Sequence, residues 1–230
     1  MKKRPATTLF MLMSLDGKIS CGASDGLDFD KDLPRIKGVC EGLQQYYDIE
    51  QTTDLFSLNT GKVMAKIGIN NRTKNPDKTD VSFVIIDRKS HLGKSGIEYL
   101  CKWLKRLILV TDNRSHDAFD LREKHDNLCI IYSQDVDLSE TLCKLHDDFG
   151  MKNLTIQSGG TLNSEFLKRG LIDYIHIIVA PVLVGGADTP TLIDGESITN
   201  ISQLKPLELL SFRSLENSYI ELKYRVKPTN

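Results

Sequence analysis

Two glycines, Gly159 and Gly160, stand between the short apolar run Leu154–Ile156 and a helix-spaced segment that closes on Lys168, Arg169 and Gly170. Ser158-Gly159-Gly160-Thr161 therefore turns the chain from strand to helix with two residues that lack a Cβ. The first N–H groups of such a helix have no partner within it, and with the helix dipole they make a seat for an anion such as a pyrophosphate. The direction of the dipole is legible: the pattern predicts Glu165 in the first turn, Lys168 and Arg169 in the last, and Gly170 as a left-handed C-terminal cap. On these residues alone, a Gly-Gly pair that merely turns the chain is an equal reading. If the cradle is real, Gly160→Asp is expected to expel a diphosphate by crowding and repulsion while leaving the fold intact.

Three other stretches could meet a ligand. Ser14-Leu15-Asp16-Gly17-Lys18 follows the apolar run Leu9–Met13, so the Asp16 carboxylate and the Lys18 ammonium leave the end of a strand, where α/β folds place ligands. A tight Asp-Gly turn bearing two solvated charges is the plainer alternative. Asn59-Thr60-Gly61-Lys62 is a second strand-to-helix turn, with Lys62 either a phosphate counter-charge or an exposed lysine at a helix start. Thr111-Asp112-Asn113-Arg114-Ser115 could hold a ribose phosphate through its hydroxyls and the Arg114 fork, or be a polar loop. Ser24-Asp25-Gly26-Leu27-Asp28 is a polar loop that could close over a site. There is no GxGxxG, and Asn59–Val63 lacks the upstream Gly and trailing Ser/Thr of a Walker loop.

Bulk properties narrow the classes. The 230 residues are 40% hydrophobic with a net charge of -1, enough to bury a full core. Thirty basic and thirty-one acidic residues are dispersed, leaving no broad field for nucleic acid or an anionic membrane. Apolar runs such as Leu107–Val110 are too short to span a bilayer, and the Met1-Lys2-Lys3-Arg4-Pro5 start shows no cleavage site, so a cytoplasmic location is expected. Cysteines 21, 40, 101, 129 and 143 form no CxxC, and histidines 91, 116, 125, 146 and 176 form no HExxH. Cys143 and His146 share a helical face without further ligands, and no structural metal is expected.

The elements that must position these residues alternate in type. Strands are predicted over Leu9–Met13, Leu55–Leu58, Val81–Ile86, Leu107–Val110, Leu128–Tyr132 and Leu154–Ile156. Helices are predicted from Pro34 through Ile36, Val39, Leu43 and Tyr46 or Tyr47, over Val63–Ile67, through Ile97, Leu100 and Leu104, and over Ser139–Phe149 with Ser139 as N-cap. Leu207, Leu209 and Ile220, Leu222, Tyr224, Val226 alternate, which predicts an antiparallel pair. The expected fold is α/β: a mainly parallel central sheet with helices on both faces and an antiparallel C-terminal hairpin, as one domain over 1–230.

Ser14-Leu15-Asp16-Gly17-Lys18, Ser158-Gly159-Gly160-Thr161-Leu162-Asn163, Gly170-Leu171-Ile172-Asp173 and Ala180-Pro181-Val182-Leu183-Val184-Gly185-Gly186, in that order over nearly the whole chain, resemble the reductase domain of bacterial riboflavin biosynthesis proteins. The resemblance implies a three-layer dihydrofolate-reductase-like fold, NADPH as hydride donor, a homodimer, and reduction of a ribosyl-pyrimidine's sugar to ribityl, as in 5-amino-6-(5-phosphoribosylamino)uracil reductase. It implies a pyrophosphate loop at Ser158, Gly159, Gly160, Thr161, Leu162 and Asn163, and a nicotinamide-side contact near Met13. Thr60, Gly61 and Lys62 would form a second cofactor loop, and Thr111 to Arg114 would hold the adenosine-phosphate end. Asp16 becomes the polar group that supplies a proton, and Asp16, Ser24 and Gln157 face the substrate. Gln157 replaces a Glu common in that family, and Lys62 and Lys66 replace a Thr and an acidic pair; an amide is not an acceptor-only charged partner. No deaminase domain precedes the match, so a stand-alone reductase is expected. Two alternatives stay open: a dihydrofolate reductase, through the shared fold, and a nucleotide-binding protein without turnover, through Gln157, Lys62 and Lys66.

Overall fold

The computed structural model describes residues 3–228. Its strands are β1 (Ala6–Ser14), β2 (Phe56–Thr60), β3 (Ser82–Ile86), β4 (Arg106–Thr111), β5 (Leu128–Tyr132), β6 (Asn153–Ile156), β7 (Tyr174–Ala180), β8 (Leu207–Ser214) and β9 (Ile220–Val226). The α-helices are α1 (Phe29–Asp32), α2 (Gln44–Glu50), α3 (Gly61–Lys66), α4 (Lys94–Trp103), α5 (Ala118–Leu121), α6 (Leu138–Phe149) and α7 (Gly160–Lys168). The α/β architecture, mainly parallel with antiparallel C-terminal strands, is the one the alternating pattern predicts. The chain divides into two compact units, one from Asp54–Ser158 with the segment before Ala6, the other from Ala6–Thr53 and the chain from Gly159 onward.

In the first unit the strands run β5, β4, β3, β2, β6, each neighbouring pair parallel. Unbroken apolar runs produce this arrangement, because a parallel strand is covered on both faces; Leu107, Ile108, Leu109 and Val110 are all fully buried. Ile97 and Leu100 of α4, with Leu104 just beyond it, pack with Leu107, Leu109 and Leu128 in one core cluster. Parallel register carries the ends of β2, β3 and β4 to one edge of this unit, with Thr60 level with Ile86 and Ile86 level with Val110.

In the second unit the order is β1, β7, β9, β8. β1 and β7 are parallel, with Met13 opposite Val179, and β9 lies antiparallel to both β7 and β8. Phe10, Leu12, Ile178 and Ala180 pack against Phe29, Leu33, Val39, Leu43, Tyr46 and Tyr219. The Phe10 and Tyr46 rings stack with centroids 5.3 Å apart, and the buried Tyr219 hydroxyl donates to the Val39 carbonyl at 2.8 Å.

Three local expectations change. The helix from Pro34 is instead two 3₁₀ turns, Leu33–Arg35 and Cys40–Gly42, ahead of α2. Gly38 at φ +87° breaks the path, and Gly42 lies so close to the Tyr219 ring that a Cβ would fall 2.6 Å from it. The apolar spacing was that of residues facing one core across separate turns. In α6 the cap is Asp137, whose side chain accepts from the Glu140 N–H, rather than Ser139. In α7 the helix starts at Gly160, which moves Glu165 out of the first turn and into exposed pairs with Lys168 and Arg169 at 3.9 and 3.8 Å. Gly150 and Gly170 adopt the left-handed conformation after their helices, at φ +67° and +65°.

Candidate active site

In the second unit, Ser14 to Lys18 form a tight turn closed by Ser14 N–H to Lys18 O at 2.8 Å, with Gly17 at φ +79°. The turn is laced to residues 182–192. Leu15 N–H donates to Val182 O, Ile19 N–H to Pro190 O, and Leu192 N–H to Gly17 O, all between 2.9 and 3.1 Å. The Asp16 carboxylate accepts from Ser14 Oγ at 2.5 Å, Val184 N–H at 3.1 Å and Gly185 N–H at 2.7 Å. Lys18 Nζ donates to the carbonyls of Gly186 and Thr189 at 2.7 and 3.1 Å. Gly185 and Gly186 sit at φ +71° and +80°, a backbone path that residues with a Cβ rarely take. Two motifs some 170 residues apart in sequence are thus halves of one clasp.

That clasp alters the role of Asp16. The Ser14 hydroxyl and the Gly185 amide, with Val184, hold its carboxyl at about 2, so at neutral pH it is an anion with no proton to give. The expectation of Asp16 as a local proton source gives way to a carboxylate that fixes the 184–185 backbone. Beside the turn, Leu15, Ile36, Val39, Pro181, Val182 and Leu183 line an open groove of about 540 Å³. Its walls are mostly apolar, with Lys37 the one charged residue among them.

The same 182–194 segment continues to the start of α7. Asn163, fully buried, donates from Nδ2 to Leu192 O at 2.9 Å, and Asp194 N–H donates to Gly160 O at 3.0 Å. A Cβ on Gly160 would lie 2.3 Å from the Thr191 carbonyl oxygen and 2.4 Å from Asp194 Oδ2. Asp194 is itself held by Thr191, whose N–H and Oγ1 donate to Oδ1 at 3.0 and 2.6 Å. Gly160 therefore admits a neighbouring loop, and Gly160→Asp would disturb that packing, contrary to the expectation of an intact fold. Gly159 differs: a Cβ there meets nothing within 4 Å. The open approach to the α7 N-terminus lies at Gly159, with Thr161 exposed and Leu162 half-buried in the first turn. Met13 is half-buried near the end of β1, and Ser24 lies in an exposed loop, where its carbonyl accepts from Leu27 N–H.

In the first unit, Thr60 caps α3 by accepting the Val63 N–H at 3.2 Å. A Cβ on Gly61 would fall 2.1 Å from the carboxyl carbon of Asp87, a buried residue that the sequence reading passed over. Asp87 directly follows β3 and accepts from His91 N–H at 3.1 Å and Leu92 N–H at 2.9 Å. The His91 Nδ1 and His116 Nε2 atoms lie 2.9 and 3.2 Å from its oxygens. Ala118 N–H donates to His116 Nδ1, which leaves the ring proton on Nε2, facing the carboxylate. Burial pushes the Asp87 carboxyl up, but hydrogen bonds from His116, Leu92 and His91 outweigh it and bring it to about 2. Thr111, fully buried, donates its hydroxyl to Asp87 O at 2.8 Å, so Gly61 and Thr111 both converge on this aspartate. An Asp at the end of a buried parallel strand was the available signal for it; nothing local marked His116. Arg114 is exposed, donates from Nε to Tyr132 OH at 2.8 Å and lies 5.3 Å over that ring. Gln157 Oε1 accepts from Ser57 Oγ at 2.7 Å, and Ser57 Oγ accepts in turn from Asn59 Nδ2 at 3.0 Å. Lys62 is exposed at the start of α3.

Comparison with known proteins adds what geometry alone does not supply. The RibD C-terminal domain profile matches residues 5–220. The chain belongs to the RibD C-terminal domain family. This RibD C-terminal domain is 26% identical over 228 residues to the 2,5-diamino-6-ribosylamino-4(3H)-pyrimidinone 5′-phosphate reductase of Methanothermobacter thermautotrophicus, covering 97% of this chain and 99% of that protein. It is 25% identical to the reductase of the same name from Archaeoglobus fulgidus, covering 89% and 93%. Among solved structures it superposes on RibD of Acinetobacter baumannii with a TM-score of 0.70 at 19% identity, covering 98% of this chain and 59% of that one. The chain thus spans about three fifths of that RibD. The Saccharomyces cerevisiae riboflavin biosynthesis reductase Rib7 gives 0.61 at 16% identity, covering 97% and 90%. These two neighbours establish a shared fold. The homologous RibD-family proteins are reductases of riboflavin biosynthesis. Among the described residues no helix is long and apolar enough to cross a membrane.

Proposed function

We propose that this RibD C-terminal domain is an NADPH-dependent reductase that converts the ribosyl group of 2,5-diamino-6-ribosylamino-4(3H)-pyrimidinone 5′-phosphate to ribityl. The observation that carries the reading is the end-to-end match to the Methanothermobacter protein of that name, over 97% of one chain and 99% of the other. Within the second unit, the chain's own residues fit a diphosphate at the N-terminus of α7, which is open at Gly159. Bound NADPH supplies the hydride that the sugar carbon bearing the base nitrogen accepts. The protein contributes N–H groups for the diphosphate, and Asp16 and Lys18 hold the 184–189 backbone in one conformation. With Asp16 ionised, the accompanying proton comes from another donor.

The test is direct. Purified protein, NADPH and the diamino pyrimidinone phosphate should show loss of NADPH absorbance and a product heavier by two hydrogens. NADPH that stays intact with this substrate overturns the reading, and oxidation that requires dihydrofolate instead replaces it with the other chemistry of the fold.

A further inference from the structure

Leu15 and Leu183 are 65% and 71% exposed, yet both stand on pinned backbone. Leu15 N–H donates to Val182 O at 2.9 Å, and Val184 N–H, directly after Leu183, donates to the Asp16 carboxylate at 3.1 Å. The groove they border is also lined by the turn Ile36-Lys37-Gly38-Val39, closed by Val39 N–H to Ile36 O at 3.0 Å with Gly38 at φ +87°. The buried Tyr219 hydroxyl holds the last carbonyl of that turn. Exposed apolar groups on a backbone fixed in advance lose little entropy when a ligand covers them.

All the lining residues belong to the second unit, beyond Ser14 and Ala180, which end the parallel strands β1 and β7 side by side. The carboxyl ends of parallel strands are where α/β sheets place ligands. A volume of about 540 Å³ suits a small molecule. Lys37, the one charge in the wall, is exposed and, among the described residues, has no hydrogen-bond or ion-pair partner. The acids nearby are turned to backbone instead: Glu41 accepts from Gly38 N–H at 2.8 Å, and Asp16 from Val184 and Gly185 N–H. Apolar walls beside an unmatched cation select a ligand with an apolar ring and an anionic end.

We propose that this groove binds a phosphorylated heteroaromatic compound, its ring against Leu15, Ile36 and Leu183 and its phosphate on the Lys37 ammonium. That the compound is the diamino pyrimidinone phosphate rests on the reductase reading above; the demand for a ring and an anion does not. Leu15, rather than Asp16, is then the residue of the 14–18 turn that meets this ligand, because the Asp16 carboxylate is committed to the 184–185 backbone. Lys37 separates phosphorylated from unphosphorylated ligands, and the leucines hold the ring in either case.

Calorimetric titration of the pyrimidinone phosphate, and of its dephosphorylated nucleoside, into the full chain without NADPH tests this. Lys37→Glu should raise the Kd of the phosphate at least about tenfold, the share of one charge-assisted contact, and leave that of the nucleoside within about twofold. Leu183→Asp should raise both at least about tenfold, as for a lost apolar contact; should it fold poorly, Leu183→Ala is to weaken both in the same direction. A wild type that does not bind the phosphate at millimolar concentration overturns the proposal, and so does a Lys37→Glu variant that binds it as tightly as the wild type. Binding that fades as the protein is concentrated also overturns it, since a second copy then covers the groove. The reductase reading fails separately: turnover with KM unaltered in both variants removes the groove and leaves the reductase, whereas Lys37-dependent binding without turnover leaves the groove and removes the reductase.

Discussion

Gly61 and Gly160 look alike in sequence and do different work. Each follows a parallel strand, each opens a helix, and at each a Cβ would fall against an aspartate, Asp87 in one unit and Asp194 in the other. Asp87 is buried and gripped by two backbone amides and two histidine rings. Asp194 is half-exposed, and its Oδ1 is bound by Thr191 three residues away. The first glycine is a packing seat for an immovable group, and the second admits a local turn. A strand-glycine-helix signal therefore does not announce a phosphate cradle by itself; what decides is which atoms already stand where the Cβ would be. By that test Gly159, with open space before it, is the better cradle residue.

The comparison can be broken most severely at Gly61. Gly61→Ala should destabilise the fold by about 3 kcal/mol, the upper range for overpacking, because the displaced atoms belong to a clasped, buried carboxylate. A melting temperature lower by roughly 6–12 °C would record it, and a change under about 1 kcal/mol would mean that Asp87 yields.

Acid should expose the Asp87 clasp next. Its folded carboxyl stands at about 2 against an ordinary 3.8, so the contribution is present above 3.8 and is lost as pH falls through the folded value. A shift of this size corresponds to about 2 kcal/mol. Urea unfolding of the wild type and Asp87→Asn should differ near neutrality and converge on approach to pH 2; parallel profiles would remove Asp87 as the titrating group.

The smallest effect on stability, and the sharpest on binding, is expected at Gly159. At φ -71°, with nothing within 4 Å of its Cβ position, Gly159→Asp should leave stability within about 0.5 kcal/mol. It should also weaken NADPH binding at least about tenfold through charge repulsion with the diphosphate. Unchanged affinity would place the diphosphate elsewhere.

Much of the fold was legible because the relevant forces are local or periodic. Leu107–Val110 and Leu128–Tyr132 read as buried strands, α4 declared itself by three- and four-residue spacing, and Gly150 and Gly170 marked helix ends by a conformation glycine favours. The helix expected from Pro34 failed for the complementary reason. Its spacing was real, but Gly38 and the approach of Tyr219 to Gly42 broke the path, and Tyr219 is distant in sequence.

The site divides in the same way. The residue types at 14–18, 158–163, 170–173 and 180–186 were enough to point to the family, because the order and spacing of those short motifs extend from residue 14 to residue 186. How they are held depends on partners that local sequence cannot supply: Val184 and Gly185 donate to the Asp16 carboxylate, Asp194 takes the space beside Gly160, and two histidines grip the aspartate behind Gly61. Propensity and periodicity act over a few residues, so sequence can determine which elements form. Charge state and free space depend on atoms brought together from far along the chain, and those only the tertiary structure decides.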